Sequence, residues 1–228
     1  KQNFFSAKLV DCMRSIFRIL LLTSWLFTST AYSQISNEKI MGAAGKIAHD
    51  YFRVSPFNKD FSTFVSRLMN DPSLLQSTIL RKTDTSLFFL EGLYSTHKPF
   101  FFRPEKVKVI LSERETEADS LNPAQPFFLY QLVGFAPDGN EGKADVQDEY
   151  EKLVRQYKRD FDMNHPRELK DGDTLTGEIR DFYFENVSFP VITLAWSSNA
   201  KNGNVLAITI RFLVYDNRAF LPIASYGF

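Results

Sequence analysis

Asp145-Val-Gln-Asp-Glu-Tyr-Glu-Lys-Leu-Val-Arg-Gln-Tyr-Lys-Arg-Asp-Phe161 decides the fold class, because it is a strong helix set between two strand-rich regions. Val146, Tyr150, Leu153, Val154, Tyr157 and Phe161 recur at the three-to-four spacing of one helix face. Asp148, Glu149, Glu151, Lys152, Arg155, Lys158 and Arg159 fill the other face. Asp145 is the expected cap, and acids early with bases late suit the helix dipole. Asn164-His165-Pro166 is expected to end the helix.

Working outward, strand signals flank it on both sides. After it, Val205–Tyr215 alternates strictly through Leu206, Ile208, Ile210, Phe212 and Val214, so one face of that strand must be buried. Val191–Trp196 precedes it, joined by a loop with the hairpin dipeptide Asn202-Gly203. Thr174–Tyr183 and Phe220–Tyr226 are further strands, the last an edge because it holds Pro222. Before the helix, Ser77–Lys82 and Ser86–Tyr94 flank a Thr83-Asp84-Thr85 turn. Val107–Leu111 and Pro126–Phe135 are strands, and Ala136–Gly142 is a loop. Two helices come earlier, one on Ile40, Ala44, Ile47, Ala48 and Tyr51, the other capped by Asn58 with Phe61, Phe64, Val65 and Leu68 on one side.

The expected fold is α+β: N-terminal helices and one long central amphipathic helix packed on a mostly antiparallel, curved β-sheet. In architecture alone, with no shared motif, this order is similar to the cone-shaped NTF2-like and cystatin-like folds. A single α+β domain over residues 34–228 is expected, with a two-lobe division near 138–144 as the alternative.

The N-terminus has a different character. Arg14 and Arg18 precede the apolar run Ile19–Phe27, and Ala31-Tyr32-Ser33 places small residues where a signal peptidase reads. Residues 1–33 are therefore expected to be a signal peptide cleaved between Ser33 and Gln34, with Lys1–Cys12 an upstream extension ahead of Met13. The run is far short of the roughly 20 residues a membrane-spanning helix needs, so no stable transmembrane span is expected after cleavage. Cleavage would leave 23 basic and 26 acidic residues, a formal charge of −3, without the basic surplus that nucleic acid requires. Cys12, the single cysteine, would go too, which excludes disulfide-stapled scaffolds and thiolate chemistry. The expected location is periplasmic or extracellular.

Chemical motifs are scarce. His49, His97 and His165 do not pair at ligand spacing, and Gly-x-Ser-x-Gly and His-Glu-x-x-His are absent. Asp138, Asn140 and Glu149 follow part of a calcium-loop ligand order, but Lys143 stands at the position that loop gives to glycine. Glu178 and Asp181 are the candidate catalytic carboxylates, since hydrolysis of a glycan bond uses such a pair. Aromatic residues are in excess, with nineteen phenylalanines left after cleavage. Phe101, Phe128, Tyr130, Tyr183 and Trp196 are the candidate lining of a ligand cavity. No cofactor and no resident metal are expected. The composite reading is a non-catalytic exported domain of the cell envelope that binds an apolar small ligand or an envelope protein. An envelope hydrolase acting on glycan or peptide through the strand carboxylates, and a structural envelope component, are the alternatives.

Overall fold

A computed structural model describes residues 42–43, 45–52, 54–57, 60–80, 89–94, 100, 102, 104–115, 126–184, 189–199 and 203–221. Two compact units divide the chain, Lys1–Ala43 and Ala44–Phe228, and the second holds every element named below. Its helices are α1 (45–51), α2 (Phe61–Met69) and α3 (Asn140–Tyr157). Its strands before α3 are β1 (Leu74–Leu80), β2 (Phe89–Tyr94), β3 (Lys106–Glu115) and β4 (Pro126–Ala136). After α3 come β5 (Asp162–Met163), β6 (Arg167–Asp171), β7 (Thr174–Tyr183), β8 (Ile192–Asn199), β9 (Gly203–Tyr215) and β10 (Arg218–Phe220).

All ten strands form one sheet in the order β1-β2-β3-β4-β9-β8-β7-β5, with β10 beside β9 and β6 beside β7. Every pairing is antiparallel. The fold is thus α+β on a large antiparallel sheet. β4 and β9 join its two meanders, in register from Phe127↔Leu213 to Ala136↔Asn204. The strands before and after the loop 137–139 therefore share a sheet.

Period-two alternation sets which side is covered. Val107, Val109 and Leu111 on β3, Phe128, Tyr130 and Leu132 on β4, and Leu206, Ile208, Ile210 and Phe212 on β9 are all buried. Rings from the α1–α2 region pack on this face: Phe52 stacks on Tyr130 at 4.3 Å and Phe61 lies 4.4 Å from Phe128. α3 covers the neighbouring strands with Val146, Tyr150, Leu153 and Tyr157, the last 5.4 Å from Phe182. Burying side chains of this size stabilises by roughly 1.5–3 kcal/mol each before entropy is counted.

Three local expectations need correction. α3 begins at Asn140, not at an Asp145 cap, so part of the expected loop Ala136–Gly142 is helix. A Cβ on Gly142 would lie 1.9 Å from the Pro137 carbonyl oxygen, so this glycine permits close packing of the first turn on its own lead-in. Asn204 from β9 holds that lead-in by donating to the Pro137 and Gly139 carbonyls at 2.6 and 2.9 Å. Secondly, β5 and β6 follow the helix where only a terminator was expected, and β6 is exposed along its whole length, so it carries no burial period to read. Thirdly, the last strand, β10 (Arg218–Phe220), begins two residues before the expected Phe220. Pro222–Phe228 and the Thr83–Thr85 turn lie outside the described residues.

Candidate functional site

β7 positions the charged groups, because its alternate residues point to opposite sides of the sheet. Glu178, Arg180 and Phe182 pair with Trp196, Leu194 and Ile192 of β8. They share the face that α3 covers, since Tyr150 of α3 bonds Glu178. Ile179 and Asp181 pair with Ala195 and Thr193, on the opposite face.

On the covered side, a cleft of about 390 Å³ runs between the flank of α3 and the β7–β8 pair. Trp196 and Tyr150 are buried in its wall, while Val154 and Leu175 give it apolar sides. Gln147, Glu151 and Arg155 line it from α3, and Glu178 and Arg180 from the sheet. Glu178 Oε1 accepts from the Tyr150 hydroxyl at 2.8 Å and from Arg180 Nη2 at 2.8 Å. Burial, then this bond to Glu178, pushes the Tyr150 phenol well above its ordinary range, so it stays a donor. Arg180 is only 17% exposed, and its Nη1 faces the weak acceptor Met163 Sδ at 3.7 Å. Arg180 Nε is buried without an acceptor among the described residues.

On the opposite face Asp181 is buried in a bonded cluster. Its carboxylate accepts from Arg167 Nη2 at 2.9 Å, from Asn164 Nδ2 at 3.4 Å and from the Thr193 hydroxyl. Its backbone N–H donates to Asn164 Oδ1 at 2.9 Å. Arg211 of β9 donates to Thr193 Oγ1 at 2.8 Å and to the Pro190 carbonyl at 3.4 Å. Tyr183 stands close enough to Asp181, Arg211 and Arg167 to sense their charges. Its phenol is raised, first by burial and then by Asp181.

Glu178 and Asp181 are therefore not brought together: three positions apart on a strand means opposite faces. Each is engaged by an arginine, Glu178 by Arg180 and Asp181 by Arg167. A two-carboxylate hydrolysis requires both groups on one bond, and this sheet separates them. The partial calcium order fails for a related reason. With the helix starting at Asn140, Glu149 sits nine residues along it, about 14 Å away at 1.5 Å per residue. Among the described residues no group of three His, Cys, Asp or Glu converges as metal ligands.

The aromatic candidates scatter. Trp196 lines the cleft. Phe128 and Tyr130 are core, stacked on Phe212 at 5.7 Å and on Phe52 at 4.3 Å. Tyr183 is on the opposite face, and Phe101 lies outside the described residues, as do Ser33 and Gln34. Tyr150, Arg180, Leu175 and Arg211 were not foreseen as site residues. For Arg180 the signal was available: i and i+2 on a strand share a face, so Glu178-x-Arg180 predicts a same-side ion pair. Among the described residues no helix is long and apolar enough to cross a membrane. Comparison of the chain with protein-family models, curated proteins and solved structures found no match.

Proposed function

We propose that this chain is an exported, non-catalytic binding domain of a cell envelope, and that the cleft between α3 and the β7–β8 pair holds a small ligand with an apolar or aromatic body. The observation that carries the reading is the cleft itself, about 390 Å³ and lined by Trp196, Tyr150, Val154 and Leu175 around the Glu178–Arg180 pair. A few hundred cubic ångströms, mostly apolar walls and a few fixed polar groups are the attributes of small-molecule sites. The pair supplies direction: Arg180 offers N–H donors and Glu178 an acceptor, with Glu178 held by Tyr150. The reading of export rests on the basic, apolar and small-residue segments of residues 14–33.

Thermal unfolding of the full chain against a panel of small aromatic and aliphatic compounds tests the cleft. A ligand at about 100 times its Kd adds about 2.7 kcal/mol and raises Tm by about 5–11 °C. Val154→Arg, on the half-exposed flank of α3, should fill the cleft and remove that rise while leaving the fold intact by circular dichroism. A panel without any saturable shift, or a shift that survives Val154→Arg, rejects the cleft. N-terminal sequencing of the exported protein should begin at Gln34; a mature protein that retains Met13 rejects the export reading.

A further inference from the structure

On the face of the sheet opposite α3, Arg211 has no carboxylate bonded to it among the described residues. Arg211 is half-buried on β9, and its contacts among the described residues are a hydroxyl, a carbonyl and a ring. Those are Thr193 Oγ1 at 2.8 Å, the Pro190 carbonyl at 3.4 Å and the Phe189 ring at 5.9 Å. The nearby carboxylate, Asp181, is already committed to Arg167 at 2.9 Å. It reaches Arg211 only through the Thr193 hydroxyl, which donates to Asp181 and accepts from Arg211. Arg211, Arg167 and Asp181 together leave one positive charge. Removing a guanidinium from water without a counter-charge is costly, and burial accordingly lowers the Arg211 pKa.

The surroundings of that charge are apolar on one side. Leu129 is directly across from Arg211 on β4, and Phe127 is across from Leu213 one pair further along the same face. Phe189 bridges the two features, its ring 5.2 Å from Phe127 and 5.9 Å from the guanidinium. Guanidinium groups bind carboxylates through a two-pronged fork of N–H donors. We propose that Arg211 is the head-group site for a monocarboxylate whose apolar body lies over Phe127, Leu129 and Phe189. Thr193 fixes the guanidinium, and the Asp181–Arg167 ion pair stands beside it already closed. This site is on the opposite side of the sheet from the α3 cleft and does not depend on it.

Titration calorimetry of the full chain with benzoate and octanoate, against benzamide and octanol, tests the assignment. The carboxylates should bind saturably and the neutral analogues about tenfold or more weaker, the loss expected when a charge-assisted bond is removed. Arg211→Gln should abolish that preference, and Arg211→Lys, which keeps the charge but not the fork, should retain part of it. Neutral analogues that bind as well as the acids, or a preference that survives Arg211→Gln, would overturn the site. Displacement of benzoate by equimolar phosphate would overturn the monocarboxylate class. Should Arg211→Gln fail to fold, the Arg211 guanidinium resonance of the unsubstituted protein decides: it should shift with benzoate and stay still with benzamide.

Discussion

Tyr51 and Tyr157 show how single side chains set the solution behaviour of this fold. Their rings lie 6.2 Å apart between α1 and α3. Burial is the first cause that holds both phenols above their ordinary range, and the charges of Asp50 and Glu149 add to it. Below about pH 10 the phenols are protonated whether the chain is folded or not, so their contribution to stability is complete. Above it the unfolded phenols ionise while the folded ones do not, so stability falls as pH rises until the folded values are passed. Each tyrosine should contribute a slope of about 1.4 kcal/mol per pH unit. Denaturant midpoints measured from about pH 9 to 11 should decline, and Tyr157→Phe should flatten the decline; an unchanged slope would reject the attribution. The sequence placed both residues on buried helix faces through their spacing. It carried no sign that the two faces meet, because 51 and 157 belong to different local patterns. The same limit applied to Glu178 and Asp181. Their opposite orientation, and the Arg180 partner of Glu178, follow from parity on one strand, whereas Arg167 reaches Asp181 through the turn at Gly172 and Tyr150 reaches Glu178 from α3.

At the scale of elements, α2 is begun by a residue far away in the chain. Asp60 precedes the helix without a side-chain cap. Asn217, in the β9–β10 turn at φ 57°, instead accepts from the Ser62 N–H at 3.0 Å and donates to Ser62 Oγ at 3.1 Å. Its carbonyl also accepts from the Phe61 N–H. Asn217→Ala should therefore cost about 1–2 kcal/mol, combining a lost cap with a left-handed backbone that alanine resists. Asn217→Gly should cost less, since glycine accepts that backbone freely. Urea midpoints at constant slope measure both, and equal stabilities for the two variants would reject the backbone part. The expectation of Asn58 as the α2 cap followed chain proximity, the only guide a sequence offers. α3 was legible throughout its amphipathic body, but its first turn was hidden because Pro137, Gly139 and Gly142 have the composition of a loop. Only the Pro137 carbonyl packed against Gly142 explains why helix starts there.

For the whole molecule, the β4·β9 pair is the seam between two meanders, and hydrogen exchange should show it. Amides of Leu132, Ile208 and Ile210, central and buried, should exchange slowest, near the global unfolding limit. Those of the exposed edge strand β6 should exchange fastest among the strands. Comparable protection at β6 and β9 would show that the sheet does not open from that edge. By itself the sequence determined the types of the longer elements, the buried faces of β9 and α3, and the antiparallel character of the sheet. Periods of two and of three to four, and short turns such as Asp216-Asn217, are written in neighbouring residues. The tertiary structure alone decided that β4 lies beside β9, that Asn217 caps α2, and that Trp196 closes a cleft with Tyr150. It also decided that Arg211 faces the Phe189 ring and the Thr193 hydroxyl. Those pairings join residues far apart in the chain, and no local period encodes which distant neighbour a buried face will meet.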